Sequence, residues 1–305
     1  MKNKPFLLIF LLVQVNYSCG QELLQLLNEE FKDSTTITQA TFKTTRISFG
    51  QSVETRKKGI LEISIFNRFW DTPNSTSQSF VADRLSTRFA LEYAISDRWS
   101  TGVGATTWDR LFDGFVKYRL VYQKTGKKNM PIAITLFQNA SYYSGGGDSS
   151  GPYPSYDSPN RLGFTTQALI ASKITRNFSL QIAPSFIHKG NDTPNSTENY
   201  FAIGLGGRYK LGNHVSFVSE YYLVTNPTES YDTYGPFSVG VNWELGDVML
   251  QFMLTNAVNM VEDAFITRTR NNFNFRNPNL NFGFNMSYIL HFKKGLKNTS
   301  FIPKK

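Results

Sequence analysis

Ten charged residues of this chain fall at strand positions whose neighbours on the same face are polar, and they are the first candidates for chemistry. They are Glu62, Arg68, Arg88, Glu92, Lys117, Arg119, Lys173, Arg208, Glu220 and Glu244. Six are basic and four acidic, so the set suits either a charged pathway for a polar or anionic solute or a group of ion pairs bracing a narrow interior. The three histidines, His188, His214 and His291, are far apart in the sequence. A zinc site needs three or four ligands brought together, and no cofactor or metal is expected. A serine–histidine hydrolase would need a serine beside His188, and no G-x-S-x-G occurs. Gly145-Gly146-Gly147 is not followed by Lys-Ser/Thr and a helix, so it is no phosphate-binding loop. Tyr142, Tyr143, Tyr153 and Tyr156 read as interface-belt tyrosines, with stacking on a carbohydrate or peptide as the other reading. The chain is expected not to be an enzyme.

The elements that position the ten charges show in the alternation. In residues 280–292, Leu280, Phe282, Phe284, Met286, Tyr288, Leu290 and Phe292 point one way. Asn281, Gly283, Asn285, Ser287, Ile289 and His291 point the other. A period of two over that length is a strand with one apolar face, long enough to cross a bilayer at a tilt. The same pattern predicts twelve strands, at 59–70, 83–95, 98–107, 113–124, 130–142, 161–174, 177–189, 199–210, 214–225, 235–246, 247–256 and 279–292. Their connections alternate. Short ones lie at 96–97, 125–129, 175–176, 211–213 and 246–247, and long ones at 71–82, 108–112, 143–160, 190–198, 226–234 and 257–278. Short turns on one side and long loops on the other make an all-β, transmembrane, antiparallel up-and-down barrel, with periplasmic turns and extracellular loops. Glycines inside strands, such as Gly102, Gly104, Gly204, Gly206 and Gly207, suggest bends or close packing of inner residues.

Bulk properties agree. The 305 residues include 26 Phe and 15 Tyr, and the mean hydropathy is -0.30. No apolar stretch reaches the roughly 18 residues of a membrane helix. Lys2 and Lys4, the apolar run 6–15 and the small residues after it make residues 1–20 a cleavable signal peptide. Cleavage after Gly20 discards Cys19, the sole cysteine; the alternative makes Cys19 the lipidated first residue of a lipoprotein. Net charge is +9. An exported chain without a basic helix is not expected to bind nucleic acid, so the excess suits a basic lumen or a rim meeting anionic lipid or solutes. Residues 21–58 form an N-terminal periplasmic or lumen-capping segment, with a short helical pattern at 21–31 and a strand expected at 41–47. Residues 59–292 form the barrel and 293–305 a periplasmic tail.

Several stretches resemble an uncharacterised family of Gram-negative outer-membrane β-barrels, the membrane-bound β-barrel domain of unknown function. They are 40–47 (ATFKTTRI), 51–55 (QSVET), 59–65 (GILEISI), 113–120 (DGFVKYRL), 129–137 (NMPIAITLF), 206–211 (GGRYKL) and the final strand. The resemblance implies the fold and the location, a Gram-negative outer membrane, and brings no catalytic residue. Expected contacts are outer-membrane lipid and small polar solutes. The function expected is a passive channel or selective pore for small polar or anionic solutes. The alternative is a closed barrel serving as scaffold, adhesin or component of a surface assembly. Residues 42–46 and 52–54 are expected to plug or cap the lumen, or to add strand pairing.

Overall fold

The computed structural model describes residues 35–70, 83–145, 161–190, 197–228, 232–273 and 280–292. Twelve strands form the wall: β1 (Ile60–Trp70), β2 (Arg84–Ala94), β3 (Trp99–Thr106), β4 (Leu111–Val121), β5 (Ala133–Tyr143), β6 (Leu162–Lys173), β7 (Phe178–Gly190), β8 (Thr197–Lys210), β9 (Val215–Val224), β10 (Phe237–Leu245), β11 (Val248–Thr255) and β12 (Asn281–His291). Each pairs antiparallel with its neighbour in sequence, and β12 pairs with β1 to close the barrel. At that seam Ser64 stands opposite Ser287 and their hydroxyls lie 2.7 Å apart. Closure leaves no unpaired edge, the condition for a sheet to stand in hydrocarbon.

Which face looks outward follows from the period of two. Phe89 and Val103 are 55% and 57% exposed, whereas Arg88 and Lys117 are 0% exposed. This reverses the partition of a soluble protein, and the outward apolar band is a surface for lipid. Tyr93, Trp99, Tyr209, Trp243 and Tyr288 are exposed near the strand ends that the short turns join, where an aromatic girdle belongs. Tyr142 lies on the outer face, but Tyr143 is buried inside against Leu111, Val261 and Ala264, so it is not a belt residue. Tyr153 and Tyr156, the helical pattern at 21–31, the signal peptide and the C-terminal tail lie outside the described residues.

Connections sort by side less strictly than the sequence suggested. At the long-loop end, residues 107–110 make a tight four-residue link, fastened where Leu111 N donates to Thr106 Oγ1 at 2.9 Å. At the short-turn end, residues 122–132 are longer than a turn. The two-residue turn Gly246-Asp247 joins the paired Leu245 and Val248, and Gly246 takes a φ of 64°, which its missing side chain permits.

Among the described residues, 35–39 and 122–131 belong to a separate compact unit. Its described part is a ribbon in which Thr36–Ile37 pairs antiparallel with Lys124–Thr125.

Residues 40–58 belong to the barrel unit, and 41–56 of them run inside the wall. The strand expected at 41–47 is not there. Only Arg46 bridges to Gln51, closing a small hairpin in which Ile47 N donates to Gly50 O at 3.0 Å. Ser52 N closes the hairpin on Thr45 O at 2.9 Å, and the segment's other bonded backbone groups go to its own side chains or to side chains of the wall rather than to a neighbouring strand. From the opposite end the connection between β11 and β12 dips inward and forms a short helix, α1 (Glu262–Thr267), every residue of which is buried.

Candidate lumen site

All ten charged candidates lie on the inward face. Eight are buried, and Lys173 and Glu244, close to the short-turn end, are partly buried. The structure does not leave them around an empty passage. Arg119 Nη2 pairs with Glu54 Oε2 at 2.8 Å, and Glu62 Oε2 accepts from Arg56 Nε at 2.7 Å. Lys117 Nζ donates to Thr45 O at 2.8 Å, and Arg208 Nη1 to Ala40 O and Thr41 O, both at 3.2 Å. Glu244 pairs with Lys43. Six of the ten therefore hold residues 40–56, counting Glu220. The rest make contacts within the wall. Arg88 pairs with Asp113, Arg68 donates to Asn285 Oδ1 at 2.8 Å, and Glu92 accepts from Ser100 at 2.9 Å. Lys173 stands in the row described below.

Glu220 is the centre of the arrangement. One oxygen, Oε2, accepts the backbone N–H groups of Ser48 and Phe49 at 2.8 Å and of Gly50 at 3.1 Å. Successive N–H groups converging on one anion form a nest. A Cβ at residue 50 would come to 2.3 Å from the Tyr222 hydroxyl and 2.7 Å from Glu220 Oε1, so any larger residue there must displace one of these buried side chains. Neutral wall residues complete the grip. Thr135 Oγ1 donates to Val53 O at 2.6 Å, and Gln181 Oε1 accepts from Val53 N at 2.7 Å. Gln251 Nε2 and Asn242 Nδ2 donate to Ile47 O at 3.0 and 3.2 Å, and Asn285 Nδ2 to Ser48 O at 3.1 Å. Apolar contacts fit as well. Phe42, Ile47 and Val53 pack with Phe115, Phe137, Leu169 and Val218, and Phe49 packs with Ile187, Tyr200 and Tyr222.

Charge–charge reading from sequence missed these amides and hydroxyls, since a neutral polar residue on an inner face carries no signal of what it binds. It also missed Asp113 and Glu262, and it placed Arg46 only within the stretch expected to plug or cap the lumen or to add strand pairing. Glu262 Oε1 forms an ion pair with Arg46 Nη2 at 2.9 Å and accepts from Gln51 Nε2 at 2.8 Å, joining α1 to the hairpin.

Electrostatics differ at the two ends. At the short-turn end Lys173 and Arg208 both stand opposite Ser179, in one inward row across β6, β7 and β8. Burial and the charges of Arg208 and Lys210 push the Lys43 amine below its usual pKa. Burial opposes the charge of Arg56, but Glu62 beside it holds the guanidinium pKa above its usual value. At the long-loop end burial raises the Asp109 carboxyl to about 6, with Asp263 adding to the rise, and burial raises Asp263 too.

The histidines are separated. His188 lies on the outer face of β7, stacked on Phe164 and with Nδ1 2.8 Å from Asn199 Oδ1; both are its cross-strand neighbours. His214 is in a turn, and His291 ends β12, 3.3 Å from Asp247. Among the described residues no group of three or more His, Cys, Asp and Glu is placed to hold a metal ion.

The family model described as a membrane bound beta barrel domain (DUF5777) matches residues 42–290. No curated protein matches the chain. Among solved structures the chain is similar to the NanC porin, at 11% identity over 77% of this chain and 100% of that one, with a TM-score of 0.46. It is similar to the KdgM porin at 9% identity over 75% and 99%, with a TM-score of 0.48. It is also similar to the COG4313 outer membrane channel from Pseudomonas putida F1, at 15% identity over 78% and 97%, with a TM-score of 0.44. Likeness at this level says nothing of what passes through a lumen.

Proposed function

The chain belongs to the membrane-bound β-barrel domain family, and from that premise we propose that it is an outer-membrane channel for small polar or anionic solutes, held shut by residues 42–53 and α1. One observation carries the reading: the interior is filled by two segments that are not wall. A barrel closed by its own side chains needs large inward residues. Here many inward positions are small, among them Ser64, Ser86, Ser100, Ser216 and Ser238, and the space is taken by the hairpin and α1. Withdrawal of the hairpin leaves a passage lined by hydroxyls, amides and charges. The inward row of Lys173 and Arg208, with Lys43 and Lys210 near it, supports a preference for anions at that mouth. In this reading the short-turn end is periplasmic, the apolar band meets outer-membrane lipid, and residues 1–20 are the export signal.

The second reading is a permanently closed barrel that serves as scaffold, adhesin or part of a surface assembly through its long loops. It is favoured by the number of strands that grip the hairpin, since β4, β5 and β7–β12 all bond to the segment 40–56. Single-channel current in a planar bilayer separates the two. The channel reading expects a silent parent protein and discrete steps from a chain lacking residues 42–53 whose gel mobility still changes on heating. Silence from both, with insertion verified, favours the scaffold.

A further inference from the structure

The two segments that fill the lumen enter from opposite sides and lock to each other. Residues 40–58 lead into the start of β1, at the short-turn end. The α1 segment hangs between β11 and β12, at the long-loop end. Their contact is specific. Glu262, fully buried, receives both Arg46 and Gln51. Arg46 in turn donates through Nη1 to Phe49 O at 2.6 Å, which ties the salt bridge to the turn of the hairpin. The Phe49 ring meets the Phe265 ring edge-on at 4.8 Å, and Tyr222 of the wall packs against both, at 5.9 and 5.4 Å.

We infer that the barrel carries a conformational signal across the membrane, in which withdrawal of α1 at the long-loop face releases the hairpin at the short-turn face. The physical reason lies in Arg46. Among the described residues, its ion pair is with Glu262. Without α1 the guanidinium stays buried beside Phe66, 5.4 Å from the ring centroid, and has lost its ion-pair partner, while the Glu220 carboxylate, whose charge it also feels, is taken by the N–H groups of Ser48, Phe49 and Gly50. A buried charge that loses its partner is strongly unfavourable, so the hairpin is pushed toward water. Phe49 loses the Phe265 face of its pocket at the same time. A ligand acts through this device only if it binds the α1-out state more tightly than the α1-in state. The inference goes beyond the channel reading, because the coupling holds whether or not the cleared lumen conducts.

Coupling of this kind is reciprocal, and that makes it testable without knowing the ligand. Ser52→Cys places a thiol in the hairpin and Thr267→Cys one in α1; both positions are buried. Maleimide labelling is counted above that of the parent chain, which subtracts any signal from Cys19, in detergent-purified protein that still shows a heat-dependent gel shift. Glu262→Ala and Phe265→Ala should each speed labelling at residue 52 at least tenfold. Gln51→Ala and Arg46→Met should do the same at residue 267. If each substitution loosens only the segment that carries it, the inference is overturned. The milder Gln51→Ala serves if a charge substitution prevents assembly, and unchanged labelling at residue 267 in that variant equally overturns it. Planar-bilayer current is read separately, so a silent but coupled barrel refutes the channel and leaves the coupling standing.

Discussion

Arg88 and Asp113 form a bidentate pair across an intervening strand, both fully buried, with Nη2 2.6 Å from Oδ2 and Nε 3.0 Å from Oδ1. They lie on β2 and β4, and the guanidinium passes over Gly104 of β3, where a Cβ would come within 2.6 Å of Arg88 Cζ. Breaking such a pair by one substitution leaves a buried charge and costs about 3–5 kcal/mol, whereas replacing both partners by apolar residues is often tolerated. Asp113→Ala should therefore lower the heat-modification midpoint more than the double variant Arg88→Met with Asp113→Leu. Gly104→Val should lower it too, by forcing the arginine aside. Midpoints from gel mobility against temperature check all three.

That pair marks how far the sequence could be read. Inward placement of Arg88 followed from the alternation of 84–94, because a period of two leaves a side chain only two choices of face. Twelve such segments gave the strands and the barrel. The in-strand glycines were also legible as sites of close packing: a Cβ on Gly206 would come within 2.5 Å of Ile47 Cδ1, and one on Gly204 within 2.6 Å of Tyr222 Cε1. Residues 42–46 and 52–54 read as a stretch that plugs or caps the lumen or adds strand pairing, but the bonds that seat it, and α1, resisted sequence reading for physical reasons. Residues 41–47 read as a strand, yet their partners include side chains as remote in sequence as Gln251, and no local period encodes such bonds. The six residues of α1 span less than two helical turns, too few for a periodic face to emerge.

Glu220 and Gly50 together predict how firmly the hairpin is seated. Hydrogen bonds to a charged acceptor contribute about 1.5–3 kcal/mol each, and Glu220 takes three. Glu220→Ala should raise amide exchange at Ser48, Phe49 and Gly50 by more than tenfold while leaving wall amides such as those of β5 protected. Hydrogen exchange read by mass spectrometry resolves the two regions. Uniform exchange across hairpin and wall would point instead to loss of the barrel.

Seating of α1 should depend on pH. Asp109 is buried and faces Asp263 and Arg268, with Thr106 beside it. Asp263 in turn is met by Lys189, Arg268, Glu262 and Ser141. A carboxyl raised from 3.8 to about 6 favours the folded arrangement while protonated. That stabilisation is fully present below about pH 3.8 and is lost as pH rises through 6, an effect on the order of 3 kcal/mol. Thiol labelling at Thr267→Cys, corrected for the reagent's own pH dependence, should slow as pH falls from 7 to 5. Asp109→Asn should give slow labelling at both values. A slope that survives in Asp109→Asn assigns the effect to Asp263.

Charge selectivity separates residues that hold the plug from residues that meet a solute. Lys117 and Arg119 bond to the hairpin, through Thr45 O and Glu54, so neutralising them acts first on closure. Lys117→Met and Arg119→Gln should raise the frequency of opening in an otherwise intact chain. Lys173 and Arg208 stand in one inward row at the short-turn mouth, where a focused positive potential raises the local anion concentration. Neutralising both in a chain lacking residues 42–53 should shift the reversal potential under a salt gradient toward cation preference, with little change in opening frequency. The effect should shrink at molar salt, where the screening length falls to about 3 Å. A reversal potential indifferent to Lys173 and Arg208 would remove the anion preference from the proposal while leaving the gated channel in place.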